Sequence, residues 1–584
     1  MARFGYNKYA LVLGMLTVAG ASAGCGGGGG GGKGQAIAAT TSGSGAASTT
    51  SSSVLASGPR VTGASFVDID SNQMVSKGDK IVLTFASDLA PIATGLNPSK
   101  EFELAVQGDT FGSNAAVVTS GLKANECAVV LGDAPALHVS DPFASGKTTA
   151  GSPSGINVSI FASGQLKGKD AGPVAAAATP LDVAGTIASG FRAAPALQLP
   201  RGAHSAVELD DGRVLVIGGV AANGGKKAGD FLADAELFDP VTNTWTLVSD
   251  LTGQKDGRMM NGKVAVKTAM STAVKLQDGT VLICGGYGVE KKGLFGLGGE
   301  KVDTLETAYV FDPKTNTFSK VGDMKYPRHS HTATLMSDGR VLIAGGYNDS
   351  IWSKDKTQAP FELYDPAKKA FEAPGSIFSR FKSKEQRMNH SATLIENGQG
   401  ILLAGGNHYE GGGFFGLMKP KLKINVGSEV VRGQQTEKAG DLVAKRINHA
   451  AALVAPRNVL LAGGRDDAGA VSALELYDSA TASWSAVGSL KTARVGCQIA
   501  VDKNLALVVG GFDGSAEVKS VEVFDADAKA LAATSFQLTT ARTGFTISRL
   551  KDGRFLVVGG MAAAQSFDRL AGQALDSCEM FVRQ

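Results

Sequence analysis

The chain has 584 residues, with 57 Lys and Arg against 54 Asp and Glu, and a formal charge of +3. That length exceeds one ordinary domain, and near-balance excludes the concentrated basic footprint of a nucleic-acid-binding protein. Five Cys stand at 25, 127, 284, 497 and 578 with no CxxC or Cys/His zinc spacing, so the last four read as buried thiols.

At the N-terminus Arg3 and Lys8 precede an apolar run over 10–19, and small residues follow at 20–24, before Cys25. This is the order of a secretory signal, and the run is too short for a permanent span. Its end resembles the lipobox of bacterial lipoproteins, with Ser22 where that family carries Leu. The resemblance implies a signal peptide at 1–24, lipid on Cys25, and export to the bacterial outer membrane, periplasmic or surface-exposed. Gly26 after Cys25 resembles the outer-membrane delivery signal. Plain secretion with cleavage after Ala23 is the alternative. Residues 26–57 are mostly Gly, Ser, Thr and Ala with almost no apolar bulk, which predicts a disordered tether over 25–57.

Over 58–184, strand-like runs appear at 64–67, 80–85, 102–106 and 128–131, separated by Gly, Asn, Asp and Ser. They predict a small antiparallel β-sandwich. The stretch Val67–Asp79 before the second run resembles bacterial immunoglobulin-like modules. Asp68, Asp70, Asn72 and Asp79 fall on positions 1, 3, 5 and 12 of a calcium-loop pattern. Gln73 stands where that loop wants Gly, so a weak structural calcium site and a metal-free polar turn are both open; no other cofactor is expected.

From 185 to the end one phrase recurs, an apolar run closing on a Gly pair: Gly218-Gly219, Gly285-Gly286, Gly345-Gly346, Gly405-Gly406, Gly463-Gly464, Gly510-Gly511 and Gly559-Gly560. A basic residue precedes each pair by 16–18 positions: Arg201, Lys267, Arg328, Arg387, Arg446, Arg494 and Arg542. Three residues after it stands His204, Met270, His331, His390, His449, Cys497 or Phe545. Asp-Gly or Asn-Gly before the apolar run predicts a two-residue hairpin turn. A later strand ends in aromatic-Asp, as in Glu236–Pro240 and Glu475–Asp478, and an aromatic such as Trp245 or Trp484 marks a fourth strand. The unit around Ser428–Val431 lacks the aromatic-Asp ending.

Four strands per unit, seven times over, predict an all-β fold, a seven-bladed β-propeller. The Gly pairs with the later aromatics resemble the kelch family, whose propeller is galactose-oxidase-like. The last unit stops after its third strand at Cys578–Val582, and 187–200 reads as the missing fourth, so that both termini close the ring and remove an open sheet edge.

The repeat Arg and His, being in register, read as structural, each His donating to a neighbouring backbone. Some kelch-fold enzymes are copper radical oxidases with two Tyr, two His and a Tyr–Cys crosslink; Tyr347, Tyr364, Cys284, His329, His331 and His408 give no residue-by-residue match. No nucleophile elbow, phosphate loop or HExxH is present. The long loops after the second and fourth Gly pairs carry Lys291, Lys292, Leu294, Phe295 and Lys301, and Phe414, Phe415, Lys419, Lys421 and Lys423. Aromatics beside Lys suit a protein or an anionic polysaccharide; the alternative is that the tips fold back and the Lys keep the loops soluble. The reading is a monomeric, envelope-anchored binding platform. A kelch-fold oxidase, a carbohydrate-active enzyme and a structural spacer are the alternatives.

Overall fold

In the computed structural model residues 59–582 are described with interruptions, the longest at 138–156, 222–229, 249–266, 292–299, 350–359, 373–382, 411–420 and 564–571. The leader, Cys25 and the tether lie outside the described residues. The described chain forms two compact units, one ending at Gly190 and one from Phe191 to Phe581.

In the first unit Val61–Val67 pairs antiparallel with Lys80–Phe85, which pairs with Glu126–Val130. Alternation over 80–85 sends Ile81, Leu83 and Phe85 into a core with Phe102, Cys127, Val129 and Val183. One pairing departs from the all-antiparallel expectation: Val61–Val67 runs parallel to Leu181–Ala184, with Ala64 opposite Val183. Asp68, Asp70 and Asn72 of the calcium pattern lie outside the described residues. Asp79 is buried, and one of its carboxylate oxygens accepts the Ile69 N–H at 2.9 Å.

The second unit contains seven four-stranded antiparallel sheets. In chain order these blades span 205–248, 272–320, 332–372, 391–441, 450–489, 498–537 and 546–582, and their strands are here lettered a to d from the inside outward. The innermost strand of each touches the next, and Thr546–Arg549 of the seventh touches Ser205–Glu208 of the first, so the order is cyclic. The seventh sheet takes its outer strand from Gly190–Ala194, where Phe191 packs on Phe581 with ring centroids 5.0 Å apart. Strands b, such as Val214–Ile217, are buried on both faces because a blade lies on either side. The outer strand Thr244–Val248 buries only Trp245 and Val248.

Six buried Arg–Glu pairs bind the repeat. Arg201 donates from Nη2 to Glu236 at 2.7 Å and from Nη1 to the Gly218 carbonyl at 2.8 Å. Glu236 also accepts the N–H groups of Gln198 and Leu199, which stitches the incoming linker to the blade. Arg328–Glu362, Arg387–Glu429, Arg446–Glu475, Arg494–Glu522 and Arg542–Glu579 repeat the pairing.

Blade 2 corrects the sequence register. Its counterpart of these Arg is Thr268, not Lys267. The second Gly of every pair donates its N–H to the following blade's Arg carbonyl, as Gly286 does to Arg328; Gly219 donates instead to the Thr268 carbonyl at 2.8 Å. Opposite Ile283 the Glu position holds Tyr309. Thr268 Oγ1 donates to the Gly285 carbonyl at 3.1 Å, the role an Arg plays elsewhere. Both charges are absent together, as burial demands, since either one alone is costly.

Two local readings also change. The a–b turns of blades 1, 2, 3 and 7 are three-residue loops: Leu209 and Arg213 close the first at 2.8 Å, and only Gly212 takes positive φ there, at 91°, which excludes a two-residue turn with two left-handed residues. The repeat His bond a hydroxyl of the preceding blade rather than backbone: His204 Nε2 lies 2.8 Å from Thr546 Oγ1, His331 3.0 Å from Thr272, His390 3.1 Å from Thr332 and His449 2.9 Å from Ser391 Oγ. Burial pushes His204 and His449 down to about 3, and His331 and His390 well below the usual range.

Candidate binding face

The face bearing the b–c connections is capped by a repeated bridge. The residue after each Arg position pairs with the residue after each Gly pair: Gly202 with Val220, His329 with Tyr347, Met388 with Asn407, Ile447 with Arg465, Val495 with Phe512 and Thr543 with Met561. In blade 2 this pair is Ala269 with Tyr287. One residue further on, every blade has positive φ: Ala203, Met270, Ser330, Asn389, Asn448, Gly496 and Gly544. Backbone bonds link these around the ring, from Ala203 N–H to Gly544, Met270 to Ala203, Asn389 to Ser330, Asn448 to Asn389 and Gly496 to Asn448. The left-handed conformation favours Asn and Gly there.

The inner ring is constant in backbone and divided in chemistry. In blades 1, 2, 6 and 7 its neighbourhood is apolar, with Val220, Phe231, Met270, Val495, Phe512 and Met561 in one buried cluster. In blades 3 to 5 the positive-φ residue is Ser330, Asn389 or Asn448 and the residue after the Gly pair is Tyr347, Asn407 or Arg465, while Met388 and Ile447 keep apolar side chains. Asn389 Nδ2 donates to Asn407 Oδ1 at 3.1 Å. Asn389 Oδ1, Asn407 Nδ2 and both amide atoms of Asn448 are buried and meet no hydrogen-bond partner among the described residues. An aromatic row flanks them: His329 stands edge-on to Tyr287 and to Tyr347, each at 5.6 Å, and Tyr347 meets Tyr409 at 5.2 Å. His329 Nδ1 lies 2.9 Å from Ser330 Oγ and Nε2 lies 3.5 Å from Asp349. Burial, with Tyr409 and Asp349 adding to it, holds the Tyr347 phenol well above its ordinary range. It therefore serves as a neutral hydrogen-bonding group. Beyond the row, His408 Nδ1 meets Asn425 Oδ1 at 2.6 Å.

Of the loop residues picked out from sequence, Lys421 and Lys423 lie on the strand Lys421–Ile424 and are exposed, and Lys423 pairs with Glu410 at 2.8 Å. Lys291 closes the strand Tyr287–Lys291 opposite Glu300, and Lys301 follows in Glu300–Thr304. Lys292, Leu294, Phe295, Phe414, Phe415 and Lys419 lie outside the described residues. The structure thus places one basic strand, Lys421–Ile424, antiparallel to Asn407–Glu410, the strand that begins at the ring residue Asn407. Sequence reasoning missed Asn389, Asn407, Asn448, Tyr287 and Tyr409. Their signal was available: in a repeat, positions beside constant ones that turn polar in consecutive copies are free of the scaffold's demands.

A copper radical centre does not fit the described side chains. Cys284 and Tyr364 share a buried core cluster, with Cys284 Sγ 3.2 Å from Thr272 Oγ1. Burial raises that thiol to about 12, and His331 is committed to Thr272. Among the described residues no three His, Cys, Asp or Glu gather as metal ligands. The four described cysteines are free and buried.

Comparison with known proteins agrees with the repeat. The Kelch motif matches residues 201–252 and 493–529. The chain is 26% identical over 209 residues to Kelch-like protein 25 of Xenopus tropicalis, covering 32% of this chain and 34% of that protein. It is 26% identical over 269 residues to galactose oxidase of Gibberella zeae, covering 38% and 37%. The chain thus spans about a third of the length of these curated relatives. Among solved structures, YjhT aligns with a TM-score of 0.41 at 14% identity, over 59% of this chain and 99% of that one. A fungal alcohol oxidase of the AA5 family, in complex with copper, aligns with a TM-score of 0.47 at 14% identity, over 68% and 77%. With its registered Gly pairs, its cyclic order of four-stranded sheets and its matched motifs, the unit from Phe191 to Phe581 has the fold of a kelch-type β-propeller.

Proposed function

We propose that the propeller is a non-catalytic binding platform for a protein or an anionic polysaccharide, presented from the cell envelope by lipid on Cys25. The supporting observation is the division of the inner ring. Blades 3 to 5 spend buried amides that meet no partner among the described residues, and a Tyr–His row, where the scaffold itself accepts Ala, Met or Gly, and such groups are costly unless something engages them. Exposed Lys421 and Lys423 stand on the same face and favour an anionic partner. The 58–184 unit, read as immunoglobulin-like, is the spacer.

The test uses the full chain. Phe295→Ser with Phe414→Ser, and Lys421→Glu with Lys423→Glu, are compared with wild type for melting and for binding to immobilised heparin as an anionic probe. Unchanged melting with binding weakened about tenfold, or about 1.4 kcal/mol, supports the reading. A large melting loss from the Phe pair means the tips fold back on the propeller.

The similarity to galactose oxidase favours one second reading, a kelch-fold oxidase. About one copper per chain retained after purification from a periplasm, with oxygen consumed in the presence of a primary alcohol, would replace the platform by that enzyme.

A further inference from the structure

The a–b and c–d turns lie at the opposite ends of the strands from the face just described. Three a–b turns read Asp-Gly-Arg, at 211–213, 338–340 and 552–554, and three c–d turns carry Asp-Pro, at 239–240, 312–313 and 365–366. Two of the Arg bridge to the next blade in one way. Arg213 of blade 1 is held by its own Asp211, with Nε donating at 2.8 Å, and Nη2 donates to the Pro313 carbonyl of blade 2 at 2.8 Å. Arg554 of blade 7 is held by Asp552 at 2.8 Å, and Nη2 donates to the Pro240 carbonyl of blade 1 at 3.2 Å. A guanidinium between an Asp of one blade and a Pro carbonyl of the next is therefore a filled slot of the repeat.

Between blades 2 and 3 the slot has both ends but no guanidinium from the a–b turn of blade 2; Arg340, which lines it, is turned to its own Asp338. Asp278 stands for Asp211 and Pro366 for Pro313, but Thr280 replaces the Arg, and its hydroxyl turns back to Asp278 at 2.6 Å. A cavity of about 280 Å³ lies here, lined by Gln277, Asp278, Arg340, Asp365 and Pro366 among others. Asp211, Asp338 and Asp552 each hold an Arg, at 2.7, 2.6 and 2.6 Å, whereas Asp278 has no ion pair among the described residues. Asp338 and Asp365 are already engaged, by Arg340 and Lys368.

We propose that this cavity binds a guanidinium supplied from outside, the side chain of an arginine on a partner chain. The chain itself shows the mode twice: carboxylate on one side, proline carbonyl on the other, met by the planar fork of one guanidinium. A lysine ammonium lacks that fork and cannot span both acceptors in one plane. The match is not complete. Arg213 also donates from Nη1 to Asn316 at 3.2 Å, and the corresponding residue in blade 3 is the exposed Lys369. Two acceptors therefore hold the guest, which fits a weak contact within a larger interface. The site does not rest on the reading of the opposite face.

The experiment titrates the full chain with N-acetyl-arginine methylamide, followed by calorimetry and by amide chemical shifts of the 277–280 and 365–367 turns. Saturable binding is expected, with the lysine counterpart about tenfold weaker and Asp278→Asn reducing affinity about tenfold. Thr280→Arg is expected to raise the melting temperature, by building the bridge seen at Arg213 and Arg554, and to abolish binding of the probe. No saturable binding, equal affinity for the lysine probe, or unchanged affinity in Thr280→Arg or in Asp278→Asn would each overturn the proposal.

Discussion

The buried ion pairs yield the sharpest prediction, because blade 2 shows what their joint absence looks like. Arg494 and Glu522 meet at 2.6 Å, with 0% and 4% of their side chains exposed. Arg494 also donates to the Ser520 carbonyl at 2.7 Å and to the Thr492 carbonyl at 3.1 Å, and Glu522 accepts the Lys491 N–H at 2.7 Å. Arg494→Thr alone leaves Glu522 buried without its cation, at a cost of about 3–5 kcal/mol. Glu522→Tyr alone strands Arg494 and the linker N–H groups, at a cost of the same order. The double variant copies the Thr268/Tyr309 pairing of blade 2 and removes both charges. It should cost less than the sum of the singles by at least about 2 kcal/mol of coupling. Urea denaturation of the full chain, followed by tryptophan fluorescence and circular dichroism, measures each corner of the cycle. Additive losses, or single losses under about 1 kcal/mol, would refute the view that the pair is kept or lost as a unit.

Three further outcomes are expected. A chain beginning at Arg201 loses Gly190–Ala194, leaves Cys578–Val582 as an open edge, and should melt lower and aggregate in light scattering; a truncated protein as stable as the full one would contradict ring closure by that strand. His204 and His449 titrate at about 3 when folded and near 6.5 when unfolded, so the unfolded state binds more protons between those values. Their contribution is intact above pH 6.5 and is lost as pH falls toward 3, by about 1.4 kcal/mol per pH unit for each; His449→Gln should flatten the stability profile between pH 4 and 6 by that amount. Gly464 has φ of 102°, and a Cβ there would sit 2.8 Å from the Ile447 carbonyl; Gly464→Ala should cost more than about 3 kcal/mol of backbone strain alone, read as a fall in the denaturation midpoint.

The repeat was legible because each of its parts answers a local demand that recurs in every copy. The Gly pair takes two positive φ values, the Asp-Gly turn takes one, and the strand between them is apolar because it is covered on both faces. What was misread depended on geometry across blades. Lys267 is the nearest basic residue to the expected position, yet the carbonyl that Gly219 meets belongs to Thr268. Glu236 was in view within its motif, but nothing local says that it faces Arg201, 35 residues away. The His were rightly seen as structural and wrongly paired, because their hydroxyl partners come from the preceding blade, up to 342 residues away along the chain.

The candidate face was harder to read for the same reason. Asn389 and Asn448 look like left-handed turn residues, and that accounts for their identity but not for their burial beside Asn407. The sequence by itself determined the blade, since strand, turn and Gly pair are each set by residues a few positions apart. Only the tertiary structure decided the register of blade 2, the owner of each buried charge, and which side chains share the inner ring. Those depend on distances between blades, and a repeat brings together residues far apart in the chain whose contacts no local pattern records.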